Sequence, residues 1–135
     1  MNRRFLRFRV AVLLTLSVCA VVEAAEPSDF GCIGNTIEQG ECLEKAFETA
    51  DKELNATYQT LIRMVSSHGD GWDNNLRAAQ RKWIEFRDLN CEFYGNYLKG
   101  GTGAGLYFGA CKVRMTKERT TELGRKRDEL ARRGY

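Results

Sequence analysis

The sequence predicts an all-α fold, a small antiparallel bundle of about three helices stapled by disulfides. Apolar residues recur at steps of three and four in three segments, and no stretch shows the two-residue alternation of a half-buried strand. Short polar or glycine-rich connections separate the segments, which places consecutive helices side by side and antiparallel. Four cysteines, Cys32, Cys42, Cys91 and Cys111, fall within or beside them.

The chain opens on Arg3, Arg4, Arg7 and Arg9, followed by an apolar run over residues 10–22 and the small residues Ala24 and Ala25. A charged start, an apolar middle and a small-residue end make a secretory signal peptide over residues 1–24, removed after Ala24. The run is shorter than the roughly 20 residues of a membrane-spanning helix, so no stable membrane insertion is expected after cleavage. Lipoprotein anchoring at Cys19 is disfavoured, because Val18 stands where such signals want a small residue. The expected location is therefore periplasmic or secreted.

Losing this segment removes four of the 21 basic residues and one of the 18 acidic ones, which leaves seventeen of each. The formal charge of +3 thus belongs to targeting and is no footprint of nucleic-acid binding. Within the neutral remainder, residues 26–53 carry eight carboxylates against Lys45 and Lys52, whereas residues 112–133 carry nine basic groups against four acidic ones. Cys19 leaves with the leader. Four cysteines in a small exported domain predict two disulfides, with three pairings open. Zinc is the competing explanation, but the spacing lacks C-x-x-C and the chain has a single histidine, His68.

Residues 25–35, with the only proline, form an N-terminal arm ahead of the helical domain at 36–135. The first helix is expected over 36–67: Leu43, Phe47, Ala50, Leu54, Tyr58, Leu61 and Val65 make its stripe, Thr36 with Gln39 a capping box, and Gly69 a stop. The second is expected over 73–98, capped by Asp73, with Leu76, Ala79, Trp83, Phe86, Asn90, Phe93 and Tyr97 along one side. The third, over 106–132, has the thinner stripe Phe108, Cys111, Met115, Leu123 and Leu130, so its tail is expected to project into water or fray. Cys91 and Cys111 flank the second connection, and Cys32 and Cys42 the junction of arm and first helix. Pairing them in that way closes two short loops beside helix ends.

From Asp51 to Leu123 the chain resembles the lysozyme inhibitor LprI-like N-terminal domain family. The resemblance lies in Cys42, in Asp51, Leu54, Asn55 and Tyr58, in the run from Leu76 through Gln80, Arg81 and Trp83 to Arg87 and Cys91, and in the glycine-rich loop followed by Cys111, Thr116, Arg119 and Leu123. It implies a periplasmic or surface-exposed helical domain in bacteria, with lysozyme inhibition described for the namesake.

Gln80, Trp83, Arg87 and Cys91 share a helix face by spacing alone, as Asn55 and Tyr58 neighbour each other on the first helix. Polar groups on a packed face need partners, so Asp51, Asn55, Gln80, Arg87 and Arg119 are expected to form an internal network that sets helix register, with Trp83 and Phe86 as core. A ligand site is the alternative. The loop from Lys99 to Gly105 lacks the phosphate-cradling pattern and follows no strand. It is either a flexible connection or a recognition loop offering Thr102 and Tyr107 to a partner.

Catalysis has a poor inventory here. No second histidine completes a nucleophile and base pair around His68, and oxidised cysteines offer no thiolate. No enzyme, cofactor or metal is expected. The expected partner is a protein, with the carboxylates Glu41, Glu44 and Glu48 steering a cationic lysozyme. A periplasmic envelope or stress-associated interaction module of unknown target is the alternative, followed by a purely structural domain.

Overall fold

A computed structural model of the chain describes residues 24–67, 69–98 and 101–135; the side chains of Leu98 and Thr102 are not described. The expected signal segment, apart from Ala24, lies outside these residues, as do His68, Lys99 and Gly100. Three helices account for the domain: α1 (Thr36–Ser66), α2 (Trp72–Leu98) and α3 (Ala104–Arg132), with short 3-10 turns at Pro27–Phe30 and Gly101–Gly103 and no strand among the described residues. Consecutive helices are antiparallel, so α1 and α3 run in the same direction. Those two pack together along their lengths, α2 lies mainly on α3, and α1 barely touches α2.

The N-terminus of α1 is capped one residue earlier than Thr36 and Gln39 suggest. The Asn35 side chain accepts from the backbone N–H groups of Ile37 and Glu38, at 3.0 and 3.1 Å, and the Glu38 carboxylate accepts from the Asn35 N–H at 2.9 Å. Asparagine caps better than threonine, and only this register lets a glutamate reach back. Asp73 likewise sits inside the first turn of α2 rather than capping it, 3.6 Å from Arg77. The third helix begins two residues before the expected position.

Two apolar clusters hold α1 to α3. Leu43, Ala110, Val113, Ala25 and Cys32 form one near the N-terminal arm; Leu54, Leu61, Val65 and Leu123 form the other. Each fully buried leucine contributes about 1.5–3 kcal/mol. Close approach is bought with glycine at two places: a Cβ on Gly95 would lie 2.8 Å from the Ala104 carbonyl oxygen, and one on Gly109 would lie 3.3 Å from Leu43. The tail of α3 does not project. Leu130 packs on the second cluster, and Tyr135 lies against Trp72 with ring centroids 5.9 Å apart. Leu123 and Leu130 are seven residues apart and so share the inner face, while the charges occupy the outer one.

The apolar stripe expected on α2 is only partly the buried one. Leu76 and Trp83 pack on the second cluster, but Ala79, Phe86, Phe93 and Tyr97 are exposed. Phe86 is therefore not core. The buried face of α2 carries Gln80, Arg87 and Cys91 instead. The disulfides join Cys32 to Cys42 and Cys91 to Cys111, with Cα atoms 5.6 and 5.5 Å apart.

Replacing Cys91 and Cys111 together by serine is expected to lower the free energy of unfolding by about 3 kcal/mol. Removing the Cys32–Cys42 link should cost about 0.6 kcal/mol less, because the loop it closes is half as long. Urea unfolding followed by circular dichroism reads both.

Candidate functional site

The polar side chains singled out by sequence divide into two groups on either side of Trp83. In the first, Arg87 of α2 is 5% exposed. Its Nη1 donates to Thr116 Oγ1 of α3 at 3.3 Å and lies 3.9 Å from Asp51 Oδ1 of α1, and its Nε donates to Asp88 Oδ1 at 2.9 Å. The guanidinium stands 5.1 Å from the Phe47 ring centroid and 5.4 Å from that of Trp83. In the second group Arg119 Nε donates to Gln80 Oε1 at 3.1 Å, Nη1 to Glu122 Oε2 at 2.7 Å, and the guanidinium lies 5.6 Å from the Trp83 ring. Asn55 reaches the first group only through Asp51. It is exposed and donates only to Asp51, one turn away on the same helix, at 2.9 Å.

These contacts join α2 to α3 at two levels and reach α1 through Asp51 and Phe47. Thr116, Asp88 and Glu122 complete the network, although the pattern of polar residues on α2 alone did not select them. Thr116 is fully buried, and its pairing with Arg87 brings together residues far apart in the chain. The arrangement is suited to holding helices, each arginine being tied to a side chain of another helix. Among the described residues, no three histidine, cysteine or carboxylate side chains converge as metal ligands.

Among the open spaces of the described residues, a shallow one of about 490 Å³ lies over Leu89, Phe93 and Tyr97 of α2, and a groove of about 340 Å³ lies between the N-terminal halves of α1 and α3. Leu43, Phe47 and Phe108 form its apolar lining, Glu44 and Lys112 are its charged groups, and Gly40, Gly105 and Gly109 keep its walls low. Lys112 Nζ stands 4.0 Å from the Phe47 ring centroid and 3.9 Å from Asp88. Glu41 and Glu48 flank Glu44 on the exposed face of α1. A Cβ on Gly40 or Gly105 would meet nothing within 4 Å, so internal packing does not require glycine at either position. Tyr107 is half-buried and donates its hydroxyl to Glu26 of the arm at 3.2 Å. Thr102 lies in the 3-10 turn ahead of α3.

A profile of the family described as lysozyme inhibitor LprI matches residues 32–123. The chain belongs to the LprI family. Both disulfides, both polar groups and the groove between α1 and α3 lie inside the matched LprI span, while the end of α3 lies beyond it. The LprI family is one of inhibitor domains, not of enzymes. An uncharacterized protein of Rhizobium meliloti (strain 1021), R02472, is 30% identical over 124 residues, covering 84% of this chain and 89% of its own length. No solved structure matches.

The buried Arg87 cluster and the exposed Asn55 make distinct predictions, because a buried guanidinium and its partners are costly to disturb and a surface amide is not. Arg87→Ala is expected to destabilise the domain by about 3 kcal/mol, and Asp88→Asn, which weakens one of the arginine's charged partners, by about 1–2 kcal/mol. Asn55→Ala, at the surface, should stay within about 0.5 kcal/mol. Thermal melts of the three variants order them.

Proposed function

We propose that this LprI-family domain is exported and binds lysozyme, inhibiting it and so protecting the bacterial wall. The observation that carries the proposal is the family match across 32–123, which takes in both disulfides, α1 and α2 whole, and α3 as far as Leu123. Two disulfides fit an oxidising, extracytoplasmic compartment, and among the described residues no helix is long and apolar enough to cross a membrane.

The groove between α1 and α3 is the surface best suited to the task. Lysozymes are mostly cationic, and Glu41, Glu44 and Glu48 present three carboxylates on its α1 side. They steer a basic partner toward the groove, where Phe47 and Phe108 receive an apolar side chain. Tyr107, engaged with Glu26, supports the arm at this end of the bundle.

The disulfide-intact protein at micromolar concentration is expected to slow lysis of cell-wall substrate by a lysozyme. The triple change Glu41→Lys, Glu44→Lys, Glu48→Lys should reduce the association rate about tenfold and flatten its salt dependence, with the dissociation rate little changed. Full lysis in excess intact protein, across several lysozyme types, would remove inhibition from consideration and leave an envelope-interaction module.

A further inference from the structure

Among the described residues, the face of α2 that points away from the bundle gathers four exposed large hydrophobic side chains. Phe86, Leu89, Phe93 and Tyr97 are 58%, 67%, 57% and 74% exposed. Their spacing of three and four residues puts them in one row. The Phe93 and Tyr97 rings stack at 5.2 Å with their planes 10° apart, which makes the end of the row flat. No rotation of α2 buries this row within the monomer, because the Cys91–Cys111 link and the Arg87–Thr116 hydrogen bond hold the opposite face inward. Four large side chains together exceed the singly scattered apolar residues that ordinary surfaces carry.

The same row continues toward the start of α2 through Lys82 and the small, exposed Ala78 and Ala79. It is therefore graded, small at one end and bulky at the other. A graded helical face matches itself when two copies run antiparallel, since each bulky end then covers the other's small end. With the two-fold axis between Phe86 and Leu89, Phe86 of one copy meets Leu89 of the other. Phe93 lies over the Lys82 stem of the other copy, and Tyr97 over its Ala78. Glu92 of one copy comes beside Lys82 of the other, which in the monomer already pairs with Glu85 at 2.8 Å. Every contact occurs twice, as a closed isologous interface requires. A parallel pairing instead sets Lys82 against Lys82 and Glu92 against Glu92.

We propose that the occupant of this face is a second copy of the chain, docked α2 to α2 in antiparallel orientation. A bilayer surface fits less well, because the exposed Glu85 and Glu92 border the row where an interfacial helix carries basic residues. The groove between α1 and α3 is formed by the two helices that do not carry the row, so a dimer presents two grooves.

Sedimentation velocity of the purified, disulfide-intact protein from about 1 to 300 µM tests the pairing, the range suiting an interface of modest size. The expected result is a monomer–dimer equilibrium with its midpoint in the tens of micromolar, abolished by Phe93→Asp. Lys82→Glu or Glu92→Lys alone should weaken association about tenfold or more, and the two changes together should restore it to within about threefold. All of these side chains are exposed, and unchanged circular dichroism verifies that each variant folds. A wild-type protein monomeric at 300 µM overturns the proposal, including the case where Phe93→Asp reduces lysozyme binding and so assigns the face to a foreign protein. A dimer indifferent to Phe93→Asp, or a double charge exchange that fails to restore association, overturns it equally.

Discussion

Arg87 is the constraint on which the arrangement of the helices turns. A guanidinium cannot shed its charge, so burying it demands donors' partners on every side. Those partners come from all three helices: Asp51 and Phe47 from α1, Trp83 and Asp88 from α2, and Thr116 from α3. Any slip of one helix along another separates the arginine from part of this set. The Cys91–Cys111 link, one turn further along α2, fixes the same relation covalently. Together they decide which side of α2 faces in, and thereby which side faces water.

That decision explains what was legible in the sequence and what was not. Three helices, their approximate limits and the two cysteine pairs follow from periodicity, turn residues and the shortness of the loops closed. The orientation of α2 does not. Periodicity assigns burial to the apolar side of a helix, and on α2 the disulfide, with the pairing of Arg87 to Thr116 and of Gln80 to Arg119, outweighs it, so Phe86, Phe93 and Tyr97 remain outside. Thinness of the α3 stripe misled in the opposite sense: two leucines seven residues apart are enough to keep the tail on the core.

The polar network was named in part. Gln80 with Arg119, and Asp51 beside Arg87, are brought together across helices, whereas Asn55 shares only the local bond that its spacing from Asp51 allows. The groove between α1 and α3 was not legible as a site, since its two walls lie some sixty residues apart in the chain. Its one local signal was glycine inside helices, at Gly40 and Gly109, where propensity disfavours it by about 1 kcal/mol. At Gly109 a close approach to Leu43 accounts for the choice; at Gly40 the space beyond is empty.

The groove lies between the two helices that share both apolar clusters and beside the arm pinned by Cys32 and Cys42. A preformed surface of this kind costs little to order on binding. Hydrogen exchange of the intact protein with and without excess lysozyme is the most direct test of its role. Docking in the groove predicts slowed exchange at residues 40–48 and 104–112, with 119–133 unchanged. Protection confined to 119–133, or binding with no protection in the groove, would contradict it.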